Sequence, residues 1–564
     1  MSLYETRQCQ LFPTLTAAQI ATARRFAAGP PQRFAPGAAL FSVGERHAPA
    51  FLVLCGELVV MRRDGAGRES VITTHGPGQI SGEVNQLAGR ATLVEARAGK
   101  PGCVAVSFDA AHLRALIIGS ADVGEIIMRA FILRRTALIA DGGAGSVLVG
   151  GRTDPALVRI EGFLTRNGYP FAFVDAHGDP DGKAMVQRLG LADEDLPLVL
   201  CPSGAVLKHP TDVEIGACLG LTPDLDPDRL FDVAVVGAGP AGLATAVYAA
   251  SEGLSVLVLD TRAFGGQAGA SARIENYLGF PTGISGLALT ARAFTQAQKF
   301  GAEIAIPVTV ETLQCEGVGG ADRQPGDAFK LKLAGARHVQ ARTVVIAAGA
   351  RYRRPDIANL ALFEGAGVSY WASPIEANLC EGEDVALVGA GNSAGQAVAY
   401  LAPRVRTLHM IVRGPGLAAS MSHYLVERIA ALPNVVIHFR TEVTALTGDA
   451  EHGLRGLEMR NRDTGEVTAK PIRHLFLFIG ADPNTAWLAD CPVALDKHGF
   501  VCTGSNAAGG PWPAFGRTAL PLETSVPGIF AIGDARSGST KRVAAAVGEG
   551  AQVVAALHGV LTTA

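Results

Sequence analysis

DVAVVGAGPAG, Asp232–Gly242, and DVALVGAGNSA, Asp384–Ala394, are near-copies of one segment. In each, a short apolar run breaks into closely spaced glycines and opens a helix of small residues. That is the strand–turn–helix context a dinucleotide fingerprint requires. In the first copy, Gly237 permits the tight turn and Gly239 lets backbone approach a pyrophosphate. Gly242 permits close helix–strand packing, and the helix N-terminus turns its donors and partial positive charge to the phosphates. Asp260 ends the next strand, SVLVLD, where a carboxylate would accept bonds from a ribose. A glycine-rich turn serving only an α/β core is the alternative. Two copies with different surroundings predict two bound dinucleotides and a hydride passing between them.

The second copy carries Gly389, Gly391, Asn392, Ser393 and Ala394. Its next strand, TLHMIVRG, ends without Asp or Glu. Arg413 stands where a 2′-phosphate needs a cation, which selects NADPH. Only one arginine is there, so NADH stays open as the alternative. Ser420, Ser422 and His423 are candidates to supplement it.

At 564 residues the chain is too long for one core, and three or four domains are expected. Hydrophobic residues make up 48% and charged residues 18%, a globular balance, and Gly 68 fits several nucleotide loops. A net charge of −3 with no basic run argues against a nucleic-acid partner. No stretch reads as a membrane span, and MSLYETRQCQ lacks a leader pattern, so a cytoplasmic protein without a membrane partner is expected. The nine cysteines show no CxxC and predict free, mostly buried thiols in a reducing compartment. The 13 histidines show no ligand spacing, so no metal is expected.

Residues 1–143 are short strands, at Phe51–Met61 and Ser70–Thr74 with a turn at 64–67, closed by a helix over Ala121–Ile139. Residues 141–146 are a linker. Residues 147–222 are a small α/β unit: strand SVLVGG, helix Ala156–Arg166, strand FAFVDA, then a hairpin of LPLVLC and AVLKHP. Residues 222–228 are a second linker. Residues 231–346, 350–476 and 477–564 hold the two dinucleotide units.

GGQAG (Gly265–Gly269), IENYLGFPTGISG (Ile274–Gly286), TVVIAAGA (Thr343–Ala350) and FAIGDARSGSTKRVAAAVGEG (Phe530–Gly550) occur in that order. Over 231–564 the chain therefore resembles the low-molecular-weight thioredoxin reductases. The resemblance implies a homodimer with two three-layer Rossmann-type α/β domains, an FAD domain split by an NADPH domain. It places Gly265, Gly266, Gln267 and Asn276 along FAD, with Gly349 in the same site and Asp534 on the ribityl chain. Lys541, Arg542 and Val543 match the family's Arg-Gln-Ala, which opens a helix toward the flavin pyrimidine. A cation and a helix N-terminus there favour the anionic reduced flavin.

The family's redox cysteines lie in a stretch that here reads GVSYWASPIEA, Gly367–Ala377. Trp371 and Pro374 replace the two thiols that disulfide exchange requires. Cys380 reads as a structural buried thiol. Trp371 reads either as a flavin-side aromatic that restricts the acceptor or as a core residue. Glu376 reads as a structural carboxylate or a proton donor.

RFAPGAALFSVGE, FLVLCGELVVMRR and ITTHGPGQISGE, within 33–92, resemble a cyclic-nucleotide-binding β-roll. That resemblance puts Gly82 and Glu83 on the ribose and Arg90 and Ala91 on the cyclic phosphate of a regulatory nucleotide. The interval from Glu83 to Arg90 is shorter than in the family, so a β-roll kept for domain contacts is the alternative. Residues 147–222 resemble a thioredoxin fold, with Pro197 as its cis-proline and ArgThrAspPro (152–155) where CxxC would be. The unit is expected to be redox-inert. The function expected is an FAD-dependent NAD(P)H oxidoreductase delivering electrons to an unnamed, non-disulfide acceptor. A flavin- and NADPH-binding sensor, or a disulfide reductase with unusual cysteines, are the alternatives.

Overall fold

A computed structural model describes residues 7–562 except 64–68, 142–145, 153, 189, 203, 316–327, 450–451, 508–511 and 513–516. The 64–67 turn, most of the 141–146 linker and position 153 of the ArgThrAspPro segment therefore lie outside the described residues.

The N-terminal unit is an antiparallel sheet of Gln32–Phe34, Glu95–Phe108, Ala50–Arg63 and Glu69–His75, with Ala39–Phe41 on the second of these. Helices Ala110–Gly119 and Ala121–Asp141 follow, and the long helix buries Val123, Ile127 and Phe131 against Leu52, Ile80 and Phe108. The next unit has a four-stranded sheet. Ser146–Gly150 pairs parallel with Phe171–Asp175 and antiparallel with Leu198–Leu200, which forms a hairpin with Val206–Lys208. The Leu196–Pro197 bond is cis. Helix Pro155–Arg166 starts on an Asp154 cap with proline in its first turn and buries Leu157, Ile160, Phe163 and Leu164.

The expectation of free thiols is corrected here. Cys201 follows the strand Leu198–Leu200 and Cys218 ends helix Asp212–Cys218, and the two are disulfide-bonded across a Cα separation of 6.6 Å. Cys315 and Cys491 form a second bond across 5.7 Å. Both separations lie within the reach of a disulfide. Of the rest, Cys103 and Cys380 are buried, while Cys9 and Cys55 are exposed.

Strand Leu230–Val236 is central to the largest sheet, parallel to Val256–Leu259 on one side and Arg337–Ile346 on the other. Its residues alternate between two cores. Val233 and Val235 face helix Pro240–Ser251 and the C-terminal helix, and Phe231, Ala234 and Val236 face the antiparallel strands. Strand Ile529–Ala531 returns from far down the chain to pair parallel with Val344–Ile346. Between them lies a separate parallel sheet ordered Val368–Ser369, His474–Leu477, Asp384–Val388, Thr407–Val412 and Val435–Phe439. The chain leaves and re-enters the larger sheet through an antiparallel pair, Ala350–Tyr352 with Ala481–Pro483.

One further expectation changes. Helix Val543–Thr562 is long and apolar enough to cross a membrane by length and composition. Its Ala546, Gly550, Val553 and Leu557 are buried in the core beside Pro240–Ser251. Thr245 donates its hydroxyl to the carbonyl of Gly550 at 3.3 Å. One face of the helix is thus packed in the core of the larger α/β sheet, and 28% of its apolar window is buried.

Candidate functional site

The first glycine turn is built as its spacing requires. Gly237 has φ +112, and a Cβ there would stand 2.2 Å from the Ala347 carbonyl oxygen. A Cβ on Gly242 would fall 1.9 Å from the Gly237 oxygen, so only glycine lets helix Pro240–Ser251 seat on its strand. Gly239 caps that helix and faces a cleft of about 480 Å³. All the candidates for the first dinucleotide line this cleft except Gly242 and Gly265, which pack behind it. They reach it from separate segments: Asp260, the Gly266-Gln267 turn, Asn276, Gly349, Asp534, and Lys541 to Val543. Gly265 and Gly266 have φ +93 and +54 and fold their turn against Gly239.

Asp260 does more for the loop than its position alone suggests. Its carboxylate accepts the N–H groups of Ala238, Arg262 and Ala263 at 2.8, 3.0 and 3.2 Å. Burial nonetheless pushes its pKa up. Asp534 is likewise pushed up by burial, against the pull of Lys541. Lys541 donates to the Asp534 carbonyl at 2.6 Å and lies 4.4 Å from the Phe500 ring centroid, and burial lowers its pKa. Helix Val543–Thr562 begins at this rim, so a cation and free backbone donors meet there.

The second glycine turn faces the same cleft. Gly389 has φ +151 and touches Ala394, and Gly391 caps helix Asn392–Leu401 with open space above it. Asn392, Ser393 and Gln396 of that helix line the first cleft, so the two turns confront one another. Arg428 bonds Glu275 at 2.6 Å and ties the two sheets' units in this arrangement.

Arg413 follows strand Thr407–Val412, is exposed, and opens on a cavity of about 570 Å³ with Arg353, Arg354 and Arg460. Those three are committed to Asp482, Glu364 and Glu442, whereas no ion pair engages Arg413 among the described residues. Ser420 donates to the Ala390 carbonyl, and the Ser422 N–H goes to Asn392, so both shape the glycine turn. His423 is exposed beside Glu427.

At the position of the redox cysteines the chain builds a helix cap. Ser373 and Glu376 close a capping box with Pro374 in the first turn of Pro374–Leu379. Glu376 is buried and also accepts the Trp371 indole N–H at 2.8 Å. That bonding favours the structural reading of Glu376. The Trp371 ring lies 5.4 Å from the Arg262 guanidinium, itself on the cleft. Cys380 is fully buried, and burial pushes its thiol up to about 11.

In the N-terminal unit the expected nucleotide ligands divide. Gly82 and Glu83 line a narrow cavity of about 40 Å³ with His75, Gln86, Thr92 and Arg134. That is room for about three waters. The Glu83 carboxylate is buried with Arg135 3.6 Å away, and burial raises the carboxyl's pKa. Arg90 leaves the cavity. The 3-10 turn Val84–Ala88 ends on Gly89 in the left-handed region and sends Arg90 into the large α/β unit. There it donates to the Ile304 carbonyl at 2.7 Å and stacks 5.1 Å over Phe294, and burial lowers its pKa to about 10. Ala91 packs against Gly220.

Sequence reasoning missed Arg166, Arg262 and Tyr352, all on the large cleft. Arg166 comes from the small unit over 147–222 and donates to the Gly266 carbonyl at 2.7 Å. Its sequence context carries no mark of this, because the contact is made entirely through tertiary packing.

Residues 231–550 match the family model "Pyridine nucleotide-disulphide oxidoreductase", and residues 31–119 match "Cyclic nucleotide-binding domain". Among curated proteins, the chain is 31% identical over 343 residues to an NADH dehydrogenase of Ferdinandcohnia aciditolerans. That alignment covers 60% of this chain and 59% of the relative, so the chain spans less than two thirds of its length. It is 31% identical to a thioredoxin reductase of Ureaplasma parvum, over 58% of this chain and 96% of the relative. Among solved structures, the thioredoxin reductase of T. acidophilum matches with a TM-score of 0.51 at 29% identity. It covers 59% of this chain and 99% of its own.

Proposed function

This chain belongs to the pyridine nucleotide-disulphide oxidoreductases, with an N-terminal cyclic nucleotide-binding domain. From that premise we propose that it oxidises NAD(P)H through FAD and delivers the electrons to an acceptor other than a CxxC disulfide. The observation that carries this reading is the helix cap at Trp371–Glu376, which occupies the place of the paired thiols and holds no sulfur. FAD, when bound, supplies a two-electron relay.

The residues present fit it. Glycines at 239 and 266 leave backbone free to approach a diphosphate, and the N-terminus of Pro240–Ser251 offers donors. Lys541 and the start of Val543–Thr562 supply positive potential at the far rim, which lowers the cost of an anionic ring. The confronting turn at Gly391–Ser393 brings the second dinucleotide within the same cleft, and Arg413 favours the 2′-phosphate of NADPH. Trp371, with Arg262 against its face, closes the side from which a protein disulfide would approach.

The cyclic-nucleotide domain supplies the control. Arg90 cannot hold both the Ile304 carbonyl and a cyclic phosphate, so a bound nucleotide competes with the tie to the FAD unit.

Anaerobic titration of the purified yellow protein with NADPH tests the main reading. Bleaching should finish at about one equivalent, because flavin is the only electron store. Completion near two would overturn it. The C315S/C491S and C201S/C218S variants would then show which disulfide had taken part.

A further inference from the structure

Helix Pro155–Arg166 belongs to the thioredoxin-like unit, yet its last residue reaches another unit's site. The Arg166 guanidinium donates to the Gly266 carbonyl at 2.7 Å, and Asn167 donates to the Arg262 carbonyl at 2.9 Å. These bonds pin the end of the helix to the loop between Asp260 and Gln267. Arg262 lies between the two units: a Cβ on Gly162 of the same helix would stand 3.7 Å from its terminal nitrogen. Both Arg166 and Arg262 line the large cleft, and the Nε of each is buried without a hydrogen-bond partner.

Two guanidinium groups crowd one cleft: burial lowers the proton affinity of Arg166, and the neighbouring Arg262 charge lowers it further. Asp260, whose charge acts on Arg166, already accepts three backbone N–H groups. Half-buried like charges with spare donors are stabilised when an anion shares them. The open glycine turn and the N-terminus of Pro240–Ser251 face the same space.

We propose that the thioredoxin-like unit is a working part of the flavin site: Arg166, with Arg262, grips the diphosphate of FAD. The unit retained its fold without redox cysteines because it clamps the cofactor. This rests on the FAD reading above, and the two fail differently. Wild-type protein that binds no FAD would defeat that reading. Wild-type protein that binds FAD, with R166M binding equally well, would defeat this one.

The test is fluorescence titration of flavin-free, full-length protein with FAD and with riboflavin, which has no phosphate. R166M should weaken FAD by about tenfold or more, the scale of a lost charge-assisted hydrogen bond. Riboflavin affinity should stay within about twofold, and R166K should recover part of the FAD loss. R159M is the control: Arg159 binds Asp212 and the Pro210 carbonyl inside the same unit, so its loss loosens the unit without touching the cleft. Equal FAD losses in R159M and R166M, or equal losses for FAD and riboflavin, would overturn the proposal.

Discussion

At the scale of single residues, charge commitments decide what each arginine can do. Around the second glycine turn Arg353, Arg354 and Arg460 are in close ion pairs, whereas Arg413 makes none among the described residues and acts on Glu442 only through its charge. R413A should therefore raise KM for NADPH by about tenfold, the loss of one charge-assisted phosphate contact, and leave KM for NADH nearly unchanged. An equal rise for both cofactors would show that Arg413 does not read the 2′-phosphate. His75 gives a pH prediction. It is buried beside Phe12 and near Arg134, and burial holds its pKa well below 6.5. A histidine with a depressed folded pKa binds more protons when unfolded, so stability is lost as pH falls below about 6.5, by up to ~1.4 kcal/mol per unit. Glu83 in the same cavity is shifted upward and acts with the opposite sign, so the informative quantity is the difference between wild type and H75Q. The wild-type melting temperature should fall faster than that of H75Q between pH 6.5 and 5. Parallel slopes would mean His75 is not held neutral.

At the scale of elements, the glycine turns were legible in the sequence because their constraint is local. The positive φ of Gly237 belongs to the turn itself, and a Cβ at Gly242 meets the oxygen of Gly237 in the same turn. The β-roll and the small hairpin were legible for a similar reason, since alternation and turn residues set them. What escaped was long-range. Cys201 and Cys218 meet only because a strand end and a helix end are brought together, and no CxxC spacing announces it. Helix Val543–Thr562 has the length and composition of a membrane span while one face packs in the core, and composition alone does not separate the two. The helix cap at Ser373–Glu376 was half-legible: Glu376 stood out as a carboxylate, and its use emerged only with its three bonds. If Glu376 serves the cap, E376A should lower the melting temperature of the unit holding the second turn, at a cost of about 1–3 kcal/mol. The rate of flavin reduction should persist in the folded variant. A folded variant with unchanged melting temperature and lost turnover would make Glu376 a proton donor instead.

At the scale of the whole molecule, both N-terminal units reach the flavin-side unit through an arginine, Arg166 and Arg90, and the second contact is the one that a ligand can break. In the function proposed above Arg90 is the residue offered to a cyclic phosphate, and the structure has it on the Ile304 carbonyl and the Phe294 ring. A nucleotide that recruits it must first meet the cost of undocking, so its apparent affinity is reduced by the fraction of molecules in which Arg90 is released. Weakening the docked state alone should then tighten the nucleotide. Phe294 suits this purpose because it touches Arg90 from the flavin-side unit and lies outside the cavity around Glu83. It also stacks on Phe264 at 4.4 Å, so leucine, which retains most of the volume, is the substitution to make. Loss of a cation–π contact of about 0.5–1 kcal/mol should tighten cyclic AMP or cyclic GMP by roughly two- to fivefold in F294L, read by calorimetry on the full chain. Reciprocity requires the converse: saturating nucleotide should raise amide exchange over 303–307 in the wild type, where the Ile304 carbonyl loses its partner. Binding with the same affinity in both proteins and unaltered exchange at 303–307 would separate the cavity from the Arg90 tie. No binding of either nucleotide to F294L would leave Arg90 as a fixed strut between the two units.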